Sequence, residues 1–289
     1  MLERAQHLVK IEVSGLIFQG SFMKPMLTSF SGVGSYVRRG SAITTDTVNI
    51  GPLKLTFDDA VATITLDRQG DGNSIDGEMS HALSTACELI AENHGLRLLV
   101  LTANGEVFSI DKANKPSGNP AKELSSLSVP VLVALNGDAA GAGLELALAG
   151  DLRVCVPSAK FGFPGLAQGV LPRNGGTQRL PRLIGPAWAR DMLLTGRLVD
   201  ANEALSIGLV NRVSKDITET VAAISAQITS GSPIGARYAK EAVSKGMDLT
   251  LEQGLRLEAD LNVILQSTSD RAEGLKSFLE KRGPEFIGS

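Results

Sequence analysis

The stretch Asn136-Gly-Asp-Ala-Ala-Gly-Ala-Gly-Leu-Glu145-Leu-Ala sets a single carboxylate, Glu145, just behind the small-residue triplet Gly141, Ala142 and Gly143. Glycine and alanine remove side-chain bulk, so a ligand can reach backbone N–H groups directly. Where such a turn opens a helix, the unpaired N–H groups and the helix dipole both favour negative charge. A phosphate cradle is one candidate. The P-loop needs a Lys after its last glycine and none follows here, while the dinucleotide turn needs a small residue where Leu146 stands. An oxyanion hole is the other candidate. Its N–H donors await charge developing on a carbonyl oxygen, and losing one donor costs about 2.7–4 kcal/mol in the transition state. An acid beside such donors moves protons at the carbon next to that carbonyl. This reading accounts for the small residues and Glu145 together. A tight strand–helix junction whose Glu faces solvent fits the spacing alone equally well.

The elements that must position this turn are regular from residue 51 onward. Ala62, Ile64 and Leu66 alternate with Thr63, Thr65 and Asp67, as in a half-buried strand. Met79, Leu83, Ala86 and Ile90 follow at helical spacing, and Gly95 stands where that helix would stop. Buried strands are predicted over 96–102 and 129–135, and an alternating one over 152–156. Strands separated by helices of this length indicate an α/β domain. After about residue 185 strands nearly vanish. Pro186 and Gly196 bracket a helix, and Asp200 with Glu203 and Asp216 with Glu219 have capping-box spacing. Between those capped helices, 209–213 can form one short strand. Long helical patterns cover 233–245 and 250–266. The chain thus divides into an N-terminal extension, predicted to be poorly ordered, over 1–50, an α/β core over 51–235 and a helical region over 236–289. Apolar Leu251, Leu255, Leu261 and Ile264 in the last part need a surface, on this chain's core or on a neighbouring subunit.

Composition narrows the function classes. The 289 residues are 43% apolar and 20% charged with a net charge of −3, as in a soluble globular protein. That balance gives no case for nucleic acid or an anionic membrane as partner. No apolar run approaches the ~18 residues that span a bilayer. Cys87 and Cys155 are far apart, which argues against a disulfide framework and suits a reducing compartment. His7, His81 and His94 form no ligand spacing, so no metal is expected. Residues 13–45 lack Asp and Glu and contain Lys24, Arg38, Arg39 and six serines. This composition reads as a plain extension in a cytoplasmic protein, or as a transit peptide that would place the protein in the mitochondrial matrix.

Several motifs occur in order along the chain. Leu66-Asp-Arg with Asn73-Ser-Ile-Asp precede the Glu145 turn, and Ala159-Lys-Phe-Gly-Phe-Pro164 follows it. Leu171-Pro-Arg-Asn-Gly-Gly-Thr-Gln-Arg-Leu180, Leu193-Leu-Thr-Gly and Gly208-Leu-Val-Asn-Arg-Val come next, and Glu273-Gly-Leu-Lys-Ser-Phe278 with Leu279-Glu-Lys281-Arg close the series. Over roughly residues 51–286 the chain resembles the crotonase (enoyl-CoA hydratase/isomerase) superfamily. The resemblance implies an α/β fold, a crotonase-like spiral of β-β-α turns whose helical C-terminal region builds a homotrimer or a dimer of trimers. It implies an acyl-CoA thioester as substrate and no cofactor beyond the coenzyme A that the substrate carries. An enolate would be stabilised by two backbone N–H groups, placed by the motifs on Ala142 and, just after Phe108, on Ile110. Glu145 matches the first of two catalytic glutamates. Gly141, Gly143, Pro164, Gly165, Gly175 and Asp111 would line the site, and Asn73, Ile75, Phe278 and Lys281 would meet CoA.

Two departures stand out. The second catalytic glutamate of the hydratases falls at Gly165, so Glu145 is the sole matched catalytic carboxylate. The resemblance therefore favours isomerase-, hydrolase- or decarboxylase-type chemistry over two-glutamate hydration. Hydration with altered acid/base groups and a non-catalytic acyl-CoA-binding role are the alternatives. The second departure is length: the stretch from Phe108 to Val129 is short by roughly twenty residues relative to the family pattern. A shorter loop there would leave the acyl pocket more open.

Overall fold

A computed structural model describes residues 9–13, 16–20, 46–111 and 118–289 of the chain. Strands β1 (Val9–Val13) and β2 (Leu16–Gly20) pair as an antiparallel hairpin, and β1 also pairs with β3 (Asp46–Ile50). Most of the expected extension over 1–50 lies outside the described residues, and the regular sheet of the core begins at Asp46.

A strand–strand–helix unit then repeats. β4 (Leu53–Asp58) and β5 (Val61–Leu66) lead to α1 (Gly77–Glu92). β6 (Leu98–Ala103) and β7 (Val107–Ser109) lead to α2 (Pro120–Ser126). β8 (Val131–Leu135) and β9 (Asp138–Ala140) lead to α3 (Ala142–Ala147), and β10 (Leu152–Cys155) and β11 (Lys160–Gly162) to α4 (Gly176–Ile184). From the second unit on, the first strand joins a large sheet and the second joins a small one. β5, β6, β8 and β10 run parallel in the large sheet, and β7, β9 and β11 run parallel in the small one. This is the expected spiral of β-β-α turns.

Side-chain alternation explains why the large sheet is covered on both faces. Leu99 and Leu101 of β6 join Met79, Leu83 and Ile90 of α1 in the main core. Leu98 and Val100 point the other way, into a smaller cluster with Leu132, Val154 and Ile224. Ile224 belongs to α7 (Ile217–Thr229), which follows α5 (Pro186–Thr195), β12 (Leu198–Asp200), α6 (Ala201–Ser206) and β13 (Arg212–Val213). Burying each large aliphatic side chain contributes about 1.5–3 kcal/mol, so both faces add to stability.

The two capping signals form by halves. Asp200 and Asp216 accept the N–H groups of Glu203 and Glu219, each at 2.9 Å. Glu203 does not fold back to complete its box, because its carboxylate pairs with Arg197 at 2.6 Å. The predicted box geometry is instead complete at Thr250 and Gln253, at the start of α9 (Leu251–Gln266).

The helical C-terminal region docks partly on this chain's own core. From α8 (Pro233–Gly246), Lys240 pairs with Asp151 at 2.8 Å and Arg237 donates to the carbonyls of His94 and Leu96. By contrast, α9 and α10 (Ser269–Glu280) leave Leu251, Leu255, Val263, Phe278 and Leu279 exposed.

Candidate functional site

Because β7, β9 and β11 are parallel neighbours, the segments leaving their C-terminal ends converge. Residues 109–111 leave β7, Gly141 and Ala142 leave β9, and Phe163 to Gly165 leave β11. Gly141 N–H donates to the Gly162 carbonyl at 3.1 Å, tying two of these exits together. Gly141 has φ +59°, a left-handed value that strains any residue with a Cβ. A Cβ on Gly143 would collide with the carbonyl and side chain of Ser109. The small residues of the turn therefore let the exit of β7 close onto α3.

Glu145 sits one turn into α3 and is only 3% exposed. Its Oε1 accepts the N–H of Asn174 at 2.7 Å and of Gly176 at 2.8 Å, and its Oε2 accepts that of Arg173 at 3.3 Å. The acid faces the interior, which removes the plain reading of a solvent-facing junction residue. Burial raises its pKa above the ordinary carboxylate value, the amides oppose that, and the nearby charge of Asp111 adds to the rise.

Sequence reasoning missed the cradle of Glu145. The 173–176 loop turns at Gly175, where φ is +105°. Arg179 braces it, donating to the Asn174 carbonyl at 2.6 Å and to Ser125 Oγ on α2 at 3.1 Å. Desolvation lowers the pKa of Arg179, and attraction to Glu145 opposes this. The signal was present: an Arg four residues after a left-handed glycine reaches back one helical turn to the loop. A Cβ on Gly176 would press on Pro172 at 2.9 Å, the Phe163 ring at 3.0 Å and Glu145 Oε1 at 3.1 Å. Phe163 and Pro172 in turn line an apolar cavity of about 190 Å³ with Leu166, Val170, Leu171 and Leu193. Two residues of that cavity, Phe163 and Pro172, thus pack beside Gly176, whose N–H holds Glu145.

The opposite wall differs from expectation. Ala142 is buried, and its N–H donates to Asp111 Oδ2 at 3.1 Å. The amide of Ile110 is not offered to the same point, since it donates to the Gly72 carbonyl at 3.0 Å. Of the two amides expected to pair, that of Ile110 is thus engaged by the turn before α1 in this structure. Asp111 is exposed as a residue, yet its carboxyl lies over Gly141, where an added Cβ would overlap it. Burial of that carboxyl raises its pKa, against the single bond from Ala142. Of the stretch expected to be shortened, 109–128, residues 112–117 lie outside the described residues.

Pro164 opens a short 3-10 turn over Pro164–Gln168. A side chain at Gly165 would start against Val170 Cβ at 3.3 Å. Asn73 is fully buried and its side chain bonds the carbonyls of Asn104 and Val107 and the N–H of Arg68. Ile75 is in the main core. The Asn73 backbone is engaged as well, its N–H donating to the Arg68 carbonyl at 3.1 Å and its carbonyl accepting from Ser109 Oγ at 2.8 Å. Phe278 is 78% exposed and Lys281 caps α10, and no hydrogen bond joins either to the Glu145 cluster. Cys87 and Cys155 are free and buried, with thiols pushed up to about 12 and about 11, so neither is a ready nucleophile. Among the described residues no three His, Cys, Asp or Glu side chains are grouped to hold a metal, and no helix is long and apolar enough to cross a membrane.

Comparison with known proteins gives the same frame. The family model for enoyl-CoA hydratase/isomerase matches residues 56–289. YngF of Bacillus subtilis, assigned to enoyl-CoA hydratase/isomerase by name only, is 37% identical over 246 residues, covering 79% of this chain and 95% of its own. The crotonyl-CoA hydratase of Syntrophomonas wolfei is 32% identical over 251 residues, covering 81% and 96%. Among solved structures, an enoyl-CoA hydratase from Bacillus anthracis superposes with a TM-score of 0.78 at 33% identity, covering 82% of this chain and 100% of that one.

Proposed function

The chain belongs to the enoyl-CoA hydratase/isomerase family, and on that premise we propose that it is an acyl-CoA enzyme working through an enolate with Glu145 as its proton-transfer group. The observation that carries this reading is the buried Glu145 carboxylate, held by three backbone N–H groups. A carboxylate is costly to bury without a partner or a purpose. Here the amides fix its position, and burial makes it a stronger base than a solvated glutamate.

One-carboxylate chemistry suits this site best. Gly165 stands where a second glutamate would be needed for hydration by two carboxylates. Double-bond isomerisation requires one group. Glu145 takes a proton from the carbon beside the thioester carbonyl, and the released electron pair delocalises onto the thioester oxygen. The double bond then shifts as Glu145 returns the proton two carbons further along the chain. The Ala142 N–H is the backbone donor nearest to hand for that oxygen, once Asp111 yields its place. Thioester hydrolysis and decarboxylation use the same stabilised enolate and are the neighbouring possibilities within this reading. The apolar cavity accepts the acyl chain, and coenzyme A comes with the substrate.

The exposed apolar side chains of α9 and α10 support a homotrimer or dimer of trimers. Sedimentation of the purified protein should give a mass of about three or six chains, and a monomer at micromolar concentration would contradict this. The reaction is tested by product analysis after incubation with 3-enoyl-, 2-enoyl- and 3-oxoacyl-CoA esters. The expected result is 2-enoyl-CoA from the 3-enoyl ester, with 3-hydroxyacyl-CoA minor or absent. Rapid conversion of 2-enoyl- to 3-hydroxyacyl-CoA would replace this reading with a hydratase.

A further inference from the structure

We propose that a polar groove behind the Glu145 loop binds a small phosphate monoester, a ligand separate from the thioester substrate. The groove has a volume of about 340 Å³. Asn174 and Gly175 of the 173–176 loop line it, with Lys122 of α2, Arg179 and Arg182 of α4, and Asp248. The loop parts the groove from the carboxylate. Asn174 gives its N–H to Glu145 at 2.7 Å and its carbonyl to Arg179 at 2.6 Å.

Three independent features of the groove favour an anion. The first is charge, since three cations meet one carboxylate. Among the described residues the Lys122 ammonium has neither a hydrogen bond nor an ion pair. Arg182 meets Asp248 at 3.5 Å, with side chains 54% and 70% exposed, and a pair so solvated opens readily. Its remaining bonds run to Gln178, one turn back along α4. Arg179 is committed to the loop and to Ser125, so it adds field rather than free donors.

The second feature is the start of α4, a nine-residue helix whose N-cap is Gly175, with no side chain to satisfy its first amides. Such an end carries partial positive charge and open N–H groups. The third is Asn174. It is 5% exposed and lines the groove, yet among the described residues its side-chain amide has no hydrogen-bond partner. A buried amide of this kind is completed by whatever enters beside it.

A phosphate group suits this donor set, because its oxygens accept from an ammonium, a guanidinium and an amide at once. The volume lies near the lower end of small-molecule sites, about 300–1,000 Å³, and exceeds what a bare ion fills. The phosphate therefore carries a small organic group. On binding, Arg182 exchanges Asp248 for the phosphate, and Lys122 gains its first partner.

The test is titration calorimetry of the full-length protein with glycerol 3-phosphate, at about 0.15 M ionic strength to screen loose surface attraction. Wild-type protein should bind one equivalent per chain, and inorganic phosphate should bind more weakly. Lys122→Ala and Arg182→Ala should each weaken binding about tenfold, the effect of one charge-assisted contact. Both side chains are exposed, so melting temperatures should stay at the wild-type value and separate lost binding from lost fold. Lys160→Ala, an exposed lysine on β11, should bind as wild type does. No saturable binding by wild-type protein would overturn the proposal, as would wild-type affinity in the Lys122→Ala/Arg182→Ala double variant. Displacement of glycerol 3-phosphate by a saturating acyl-CoA would overturn it too, by assigning the groove to the substrate's own phosphates. Binding is read without turnover, so failure of the acyl-CoA reading leaves this site standing.

Discussion

The two carboxyls of the cleft stand on walls built to different rules. Glu145 lies on α3, between the main core and the braced 173–176 loop, and three backbone amides fix both of its oxygens. Asp111 leaves the short strand β7, is exposed as a residue, and is anchored by one amide. Glu145 is held at both oxygens, whereas Asp111 is held at one, by the Ala142 amide. The difference shows how two chemically similar acids acquire different tasks. Burial raises the pKa of both, the amides oppose it at each, and the charge of Asp111 adds to the rise at Glu145.

The largest effect should come from the Glu145 wall. Glu145→Gln is expected to lower turnover by about 10³-fold, within the range for removing a positioned acid–base group. Gln keeps an oxygen for the Asn174 and Gly176 amides, so melting temperature should not fall with it. A variant that loses activity only in step with its stability would erase the distinction between the walls. A smaller effect should follow from Gly176→Ala. Its methyl would start 3.1 Å from Glu145 Oε1 and 2.9 Å from Pro172. Overpacking of that kind costs about 1–3 kcal/mol, and the displaced carboxylate should cost turnover roughly tenfold or more by the sensitivity of positioned groups to ångström shifts. Unchanged kinetics in this variant would mean that the cradle does not set the carboxylate's position.

The smallest effect is in the pH dependence. Glu145 has a folded-state pKa above its ordinary value of 4.5. The rate that depends on its ionised form should therefore grow in as pH rises through that raised pKa. Stability runs the opposite way: the contribution is complete below the unfolded pKa and declines as pH rises through the folded one. Glu145→Gln should remove that decline and make the protein slightly more stable than wild type at pH 8. Thermal melts of both proteins between pH 4 and 8 check the sign. A wild-type protein that gains stability over that range relative to Glu145→Gln would show that the amides outweigh burial.

Much of the frame was legible in the sequence. The alternation in 62–66, the apolar runs over 96–102 and 129–135 and the helical spacing after Met79 lie within one or two residues of the observed elements or overlap them. Those signals are local and periodic. The small sheet was not legible, because β7, β9 and β11 have three residues each, too few for a period, and form only through pairing with distant strands. At the site, Glu145 and the close approach at Gly141 and Gly143 could be read from residue type. Which amides remain unengaged could not. Whether Ile110 N–H meets a ligand or Gly72 depends on how two loops far apart in sequence pack. The three amides around Glu145 carry no side-chain signature, since any non-proline residue supplies one.

The central claim is that Glu145 moves a proton at the carbon beside a thioester carbonyl. It is tested most directly by incubating wild-type protein and Glu145→Gln with a saturated acyl-CoA in deuterium oxide and following label at that carbon by mass spectrometry. Wild-type protein should exchange the proton, and Glu145→Gln should bind the ester while exchanging it at least about 10²-fold more slowly. Equal exchange by both proteins, or none by a wild-type protein that binds the ester, would contradict the account.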